Sequence, residues 1–154
     1  MNRLSALAAA AALCLTLTGC GGGNSPAPFD PATGAQTLLD APGIFSGAMT
    51  AIDGDVACAL YGIDPATVEG YAVYASEGSA EELAIFTFSD EAAAAAGAKQ
   101  LGYRVADRAD ELRDYMPGEL TKLSGAVVES RGSSALLVIA ADYAPVTAFL
   151  EGDP

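Results

Sequence analysis

Histidine and tryptophan are absent from this chain of 154 residues, cysteine occurs three times, and 7 lysines and arginines stand against 20 aspartates and glutamates. Each shortage excludes something. Without histidine the common nucleophile and base pairs cannot be assembled, and a zinc or redox-metal site would lack its usual nitrogen ligands. No G-x-S-x-G elbow, S-x-x-K pair, Walker-type loop or G-x-G-x-x-G fingerprint occurs, so no catalytic residue is assigned and no cofactor is expected. Asp53-Gly54-Asp55 begins like a calcium loop, but Val56 and Ala57 follow and cannot ligate through their side chains. No metal site is expected. The formal charge of −13 repels phosphate backbones and anionic lipid surfaces, which argues against nucleic acid as a partner. With no tryptophan and a single asparagine, Asn24, after the first twenty residues, little remains to furnish a sugar-binding cleft.

What is present begins with a leader. Arg3 supplies a charged start, Leu4 to Leu17 an apolar middle, and Thr18-Gly19 small residues, the three-part layout of a secretory signal. The stretch from Leu4 to Thr18 would reach about 22 Å as a helix, short of the about 30 Å of hydrocarbon that a permanent span must cross.

Leu17-Thr18-Gly19-Cys20 resembles the lipobox of bacterial lipoproteins: a branched apolar residue, two small residues and a cysteine. That resemblance implies diacylglyceryl transfer to the Cys20 thiol, cleavage before Cys20, and acylation of the new amino terminus. Burial of acyl chain is worth about 0.8 kcal/mol per methylene, and stable anchoring takes more than one chain. Gly21, Gly22 and Gly23 form a flexible leash, stiffened by Pro26, Pro28 and Pro31. The expected organisation is a signal peptide over 1–19, a lipidated tether over 20–31 and a folded domain over 32–154, held at the extracytoplasmic face of the cell membrane.

Cysteine usage agrees with this organisation. Cys14 leaves with the leader and Cys20 is taken by lipid, so Cys58 stands alone and no internal disulfide is available. Among the small apolar residues of "DVACALYG", Cys58 reads as a buried space-filler.

Periodicity predicts an α+β domain. Asp30-Pro31 opens a short helix that Pro42-Gly43 ends, and a second helix runs from about Asp53 to Tyr61 with Asp53 as a candidate cap and Val56 and Leu60 on one face. "YAVYAS" at 71–76 and "ELAIFTF" at 82–88 form a hairpin across "EGSAE". From Ser89 or Asp90 a long helix follows, with Leu101, Val105, Ala109, Leu112 and Met116 recurring on one face. Arg104, Asp107, Arg108 and Glu111 fall opposite and read as an ion-paired solvent face. "ELTKL" crosses back, "GAVVES" and "SALLVIAA" form a second hairpin, and the uniformly apolar final strand belongs at the centre of the sheet. Asp142 is placed as the cap of a last helix. The expected architecture is a single domain with an antiparallel four-stranded sheet made of two hairpins linked by the long helix, and short helices at each end.

"LYGID" at 60–64, "YAVYASEGSAEELAIF" at 71–86, Asp90 before the alanine-rich helix, "YMPGELTKLSGAVV" at 115–128 and the closing "LLVIAAD" together resemble a bacterial lipoprotein-type family labelled domain of unknown function 4358, over roughly residues 32 to 150. The resemblance implies a fold and a location; it implies no activity and no catalytic residues.

Two functional classes follow. The first is a lipid-anchored module, attached to the membrane through Cys20, that binds another envelope protein through the turns carrying Tyr61 and Asp64 or Tyr115 and Glu119. The second is a ligand-binding or carboxylate-dependent domain using Glu82 and Glu119 in a cleft. Adjacent carboxylates such as Glu81-Glu82, Asp90-Glu91 and Asp110-Glu111 read more simply as solvated element ends. Dispersed polar residues favour the interaction module, with no catalysis.

Overall fold

The computed structural model describes residues 26–152; the leader, Leu17, Thr18, Gly19 and Cys20 lie outside the described residues. Phe29 is already in the core, its backbone N–H donating to the Ser134 hydroxyl at 2.7 Å. The packed domain therefore begins ahead of residue 32, taking in the end of the expected tether.

Helix α1 (Pro31–Asp40) starts where Asp30 accepts from the Thr33 N–H and Pro31 occupies the first turn, a position whose missing N–H costs nothing. Strand β1 (Thr50–Ala51) is two residues long. Helix α2 (Gly54–Tyr61) ends at Gly62, whose φ of +64° lets its N–H turn back onto the last carbonyls. After a short 3-10 turn (Pro65–Thr67), β2 (Val68–Ala75) and β3 (Glu82–Phe88) form the first hairpin. Helix α3 (Glu91–Leu112) follows, capped by Asp90 through the Ala93 N–H at 2.8 Å. A second 3-10 turn (Pro117–Glu119) and α4 (Leu120–Ser124) lead to the hairpin of β4 (Val127–Arg131) and β5 (Ser134–Ile139), and α5 (Ala144–Glu151) closes the domain.

The sheet is antiparallel throughout, in the order β1-β2-β3-β5-β4. It has five strands rather than four, because the loop after α1 adds β1 to the outer side of β2 at Thr50↔Ala75 and Ala51↔Tyr74. Helices α1 and α5 cover one face over Leu83, Ile85, Leu136 and Val138, and α2, α3 and α4 cover the other over Ala84, Phe86, Leu137 and Ile139. Both central strands are apolar at nearly every position because alternate side chains meet helices on either side.

The structure sharpens three local readings. The "ELTKL" crossing contains a turn of helix, Leu120–Ser124. Val56 and Leu60 face solvent at 58% and 39% exposure, while Ala57, Cys58 and Tyr61 are buried; in so short a helix, two apolar residues four apart do not by themselves identify the inner face. Asp142 stands one residue before the cap position of α5, held by Tyr143, although its carboxylate accepts from the Ala144 N–H.

Gly97, midway along α3, lies against the Phe88 ring, where an added Cβ would overlap three ring carbons. Alanine is normally favoured over glycine inside a helix by about 1 kcal/mol, but forcing the ring aside costs about 1–3 kcal/mol. Gly97→Ala is expected to lower stability by about 1 kcal/mol net, read as a lower urea midpoint by circular dichroism.

Candidate functional site

Glu81 immediately precedes β3 and Glu82 is its first residue, and the alternation of extended chain sends their side chains to opposite faces of the sheet. Both faces are covered, so both carboxylates are buried, each residue 1% exposed. On the α3 side, Arg104 holds Glu82 with two hydrogen bonds, Nε to Oε1 at 3.2 Å and Nη2 to Oε2 at 3.0 Å. The Tyr61 hydroxyl donates to the same Oε1 at 2.6 Å. Burial, reinforced by the Glu82 charge and hydrogen bond, pushes the Tyr61 phenol far above its ordinary range. For Arg104, burial works against the charge, but the bonds and charge of Glu82 outweigh it and hold the guanidinium above its ordinary value. Arg104 also reaches Glu111 at 3.7 Å, and neighbouring Arg108 pairs with Glu111 and donates to the Ser79 carbonyl at 3.1 Å.

On the other face, Glu81 is met by the chain between α1 and β1. The Ser46 N–H donates to both carboxylate oxygens at 3.1 and 3.0 Å, the Ser46 hydroxyl to Oε1 and the Gly47 N–H to Oε2. Lys122 of α4 supplies the counter-charge at 3.0 Å and bridges to Glu119 at the same distance. Burial alone would raise the Glu81 pKa; Ser46 and Lys122 reverse the sign and hold it below the ordinary glutamate value. Glu119 is lowered chiefly by the Ala80 N–H, which it accepts at 2.9 Å. The short helix α4 is set against the sheet by Tyr143, whose hydroxyl donates to the Lys122 carbonyl at 2.7 Å and accepts from the Ala140 N–H.

Glu81 and Glu82 are thus not solvated ends, and Arg104 is not on a solvent face; a bidentate guanidinium matches the plane of a carboxylate and desolvates with it. Of the turn residues expected at the surface, Tyr61 is buried at 3% exposure and belongs to the Glu82 cluster, and Glu119 belongs to the Glu81 cluster. Asp64 is exposed and caps the 3-10 turn through the Ala66 N–H, and Tyr115, at 66% exposure, stands beyond the end of α3. Neither joins the two clusters. Ser46, Gly47 and Lys122 had no signal in the sequence, being brought in by elements distant along the chain.

None of the five principal surface grooves among the described residues is lined by Glu81 or Glu82. An apolar groove of about 420 Å³ runs between α1 and α5, past Thr37, Ala41, Pro145 and Phe149. A larger one, about 790 Å³, lies between the start of α2 and the outer side of β2, lined by Asp53, Asp55, Pro65, Val68, Glu69 and Tyr71. Because β1 pairs only with the last two residues of β2, the earlier part of that strand is an open edge. The Val73 carbonyl accepts from the Ile52 N–H on this side. Tyr71, two residues earlier, turns its own N–H and C=O the same way, with no backbone partner among the described residues. Cys58 also borders this groove at 5% exposure; burial, with the charges of Asp55 and Asp64, pushes its thiol up and away from reactivity.

A family model described as "Domain of unknown function (DUF4358)" matches residues 43–140. The chain belongs to this family. The matched stretch runs from Gly43 to Ala140 and so contains every strand and both glutamates with Ser46, Tyr61, Arg104, Glu119 and Lys122, while α1 and α5 fall outside it. Membership carries no assigned activity, since the family's own description is of unknown function. Neither the curated proteins nor the solved structures contain a match to the chain.

Proposed function

We propose that this protein is a non-catalytic interaction module of the bacterial cell envelope, anchored at the extracytoplasmic face by lipid on Cys20. The observation that carries the non-catalytic part is the sealing of the two inner carboxylates. A carboxylate acting as acid, base or nucleophile must reach its substrate, whereas the Glu81 and Glu82 side chains are 0% and 2% exposed and are saturated by Lys122, Ser46, Arg104 and Tyr61. Their role is to lock the hairpin to α3 and α4. What remains open is backbone at a sheet edge, which recognises extended chain. The lipobox-like Leu17-Thr18-Gly19-Cys20 supports the anchor, and no described helix is long and apolar enough to cross a membrane.

The test is in-cell crosslinking of the tagged full chain in a bacterial host, with mass spectrometry of its amino-terminal peptide and Cys20→Ala as control. The expected result is an acylated amino terminus at Cys20 and one stoichiometric envelope partner recovered from the anchored form alone. An unprocessed amino terminus would sink the anchor, and recovery of abundant neighbours only would sink the interaction module.

A further inference from the structure

The edge of β2 and the groove beside it say more about what such a partner presents. From residue 4 to residue 98 the chain contains no lysine or arginine, so α1, β1, α2, β2 and β3 carry no cation of their own. The cations of the described residues all lie from α3 onward. Arg104, Arg108, Arg113, Lys122 and Arg131 are engaged in ion pairs, and Lys99 lies over the Tyr103 ring at 5.7 Å. Asp53, Asp55 and Glu69 on the groove wall therefore have no cation among its lining residues. Asp53 occupies the cap position of α2 without capping it through its side chain, which leaves its carboxylate to the groove.

Backbone geometry adds a second requirement. The outward N–H and C=O of Tyr71 ask for an extended chain carrying the complementary groups. A register irregularity between Val68 and Gly70 bends the far end of this edge, and the Val73 carbonyl at the near end is taken by the Ile52 N–H, so the free stretch runs from Gly70 to Ala72 with Tyr71 at its centre. It admits a short partner strand of about three residues. Tyr71, 45% exposed, lies with its ring against Gly54 at the start of α2, where a Cβ would overlap it. The ring offers an apolar platform beside the acids.

On the reading of the protein as an interaction module, we propose that the free edge of β2 is a strand-addition site for a basic, extended segment of the partner protein. A second copy of this chain is disfavoured as occupant, because pairing β2 with β2 would bring Asp53, Asp55 and Glu69 against their equivalents with no cation between them.

The proposal is tested on the detergent-solubilised full chain with fluorescent peptides of about ten residues that alternate lysine and valine, glutamate and valine, or lysine and valine with a central proline. The lysine peptide is expected to bind, more weakly as salt rises, and to protect the Tyr71 amide from hydrogen exchange. The glutamate and proline-broken peptides should fail. Asp53→Asn, Asp55→Asn and Glu69→Gln together should weaken binding about tenfold. Tyr71→Pro, which removes an N–H that the sheet does not use, should abolish it while circular dichroism stays unchanged. Equal binding of the proline-broken peptide, no loss in the triple variant, protection elsewhere, or no binding would each overturn the proposal. So would a dimer by sedimentation that Tyr71→Pro dissolves, which would assign the edge to a second copy.

A photoreactive residue in place of Tyr71, and separately of Phe149, separates this proposal from the broader one. Crosslinks to one envelope protein from position 149 alone would overturn the edge assignment and leave the interaction module standing. Crosslinks from neither position would overturn both.

Discussion

Arg104→Met is expected to destabilise the domain by about 3–5 kcal/mol, the loss found when one partner of a buried ion pair is removed and the other is left charged in a dry site. The Arg104 side chain is 12% exposed and that of Glu82 is 2% exposed, so water cannot replace the guanidinium. The size of the effect is not the worth of the pair. The double change Glu82→Leu with Arg104→Met removes both charges, and because buried ion pairs are often nearly neutral against well-packed apolar residues, it should recover most of the loss. What it cannot recover is the acceptor of the Tyr61 hydroxyl, so adding Tyr61→Phe should return about 1 kcal/mol more. Urea unfolding of the three variants, followed by circular dichroism, checks the order. A double variant as unstable as Arg104→Met would show that the pair stabilises the fold outright.

Lys122→Met is expected to cost about 2–3 kcal/mol near neutral pH, less than the first because Ser46 and Gly47 still donate to Glu81. Its signature is the pH dependence. Glu81 and Glu119 titrate below the ordinary glutamate value of 4.5 in the folded protein. Their contribution is therefore fully present above that value and lost as pH falls through their folded values, because the unfolded chain takes up protons first. Lys122 titrates above its ordinary 10.5, so its contribution is complete below that pH and disappears as pH rises through the folded value. The difference between wild type and variant should accordingly be flat from about pH 5 to about pH 10 and shrink on both sides. Urea midpoints measured across that range check it, and a difference independent of pH would mean that Lys122 acts through packing of its stem.

Much of the secondary structure is legible in short stretches of sequence. Asp30 before Pro31 and Asp90 before the alanine run announce helix starts that the folded chain uses as caps. "EGSAE" announces the first hairpin, and the unbroken apolar run of the last strand announces a central position covered on both faces. These readings succeed because caps, turns and alternation act over a few residues. The same locality explains what was misplaced. Glu81-Glu82 in an acidic chain has the statistics of a solvated end, and Arg104 with Asp107, Arg108 and Glu111 has the spacing of an exposed ion ladder. The burial of both depends on β3 being central, on α3 bringing Arg104 to Glu82 on one face, and on Ser46, Gly47 and Lys122 closing over Glu81 on the other.

By itself, then, the sequence determines where helices and strands start and stop, the acidity of the first hundred residues, the absence of histidine chemistry and the lipobox-like Cys20. Only the tertiary structure decides that two successive glutamates become the cores of two separate ion clusters, that Tyr61 turns inward, and that β1 is too short to cover the edge of β2. The physical reason is range. A cap or a turn is settled among neighbours in the chain, whereas the burial of a charge and the freedom of a strand edge depend on partners that the chain brings together from far apart.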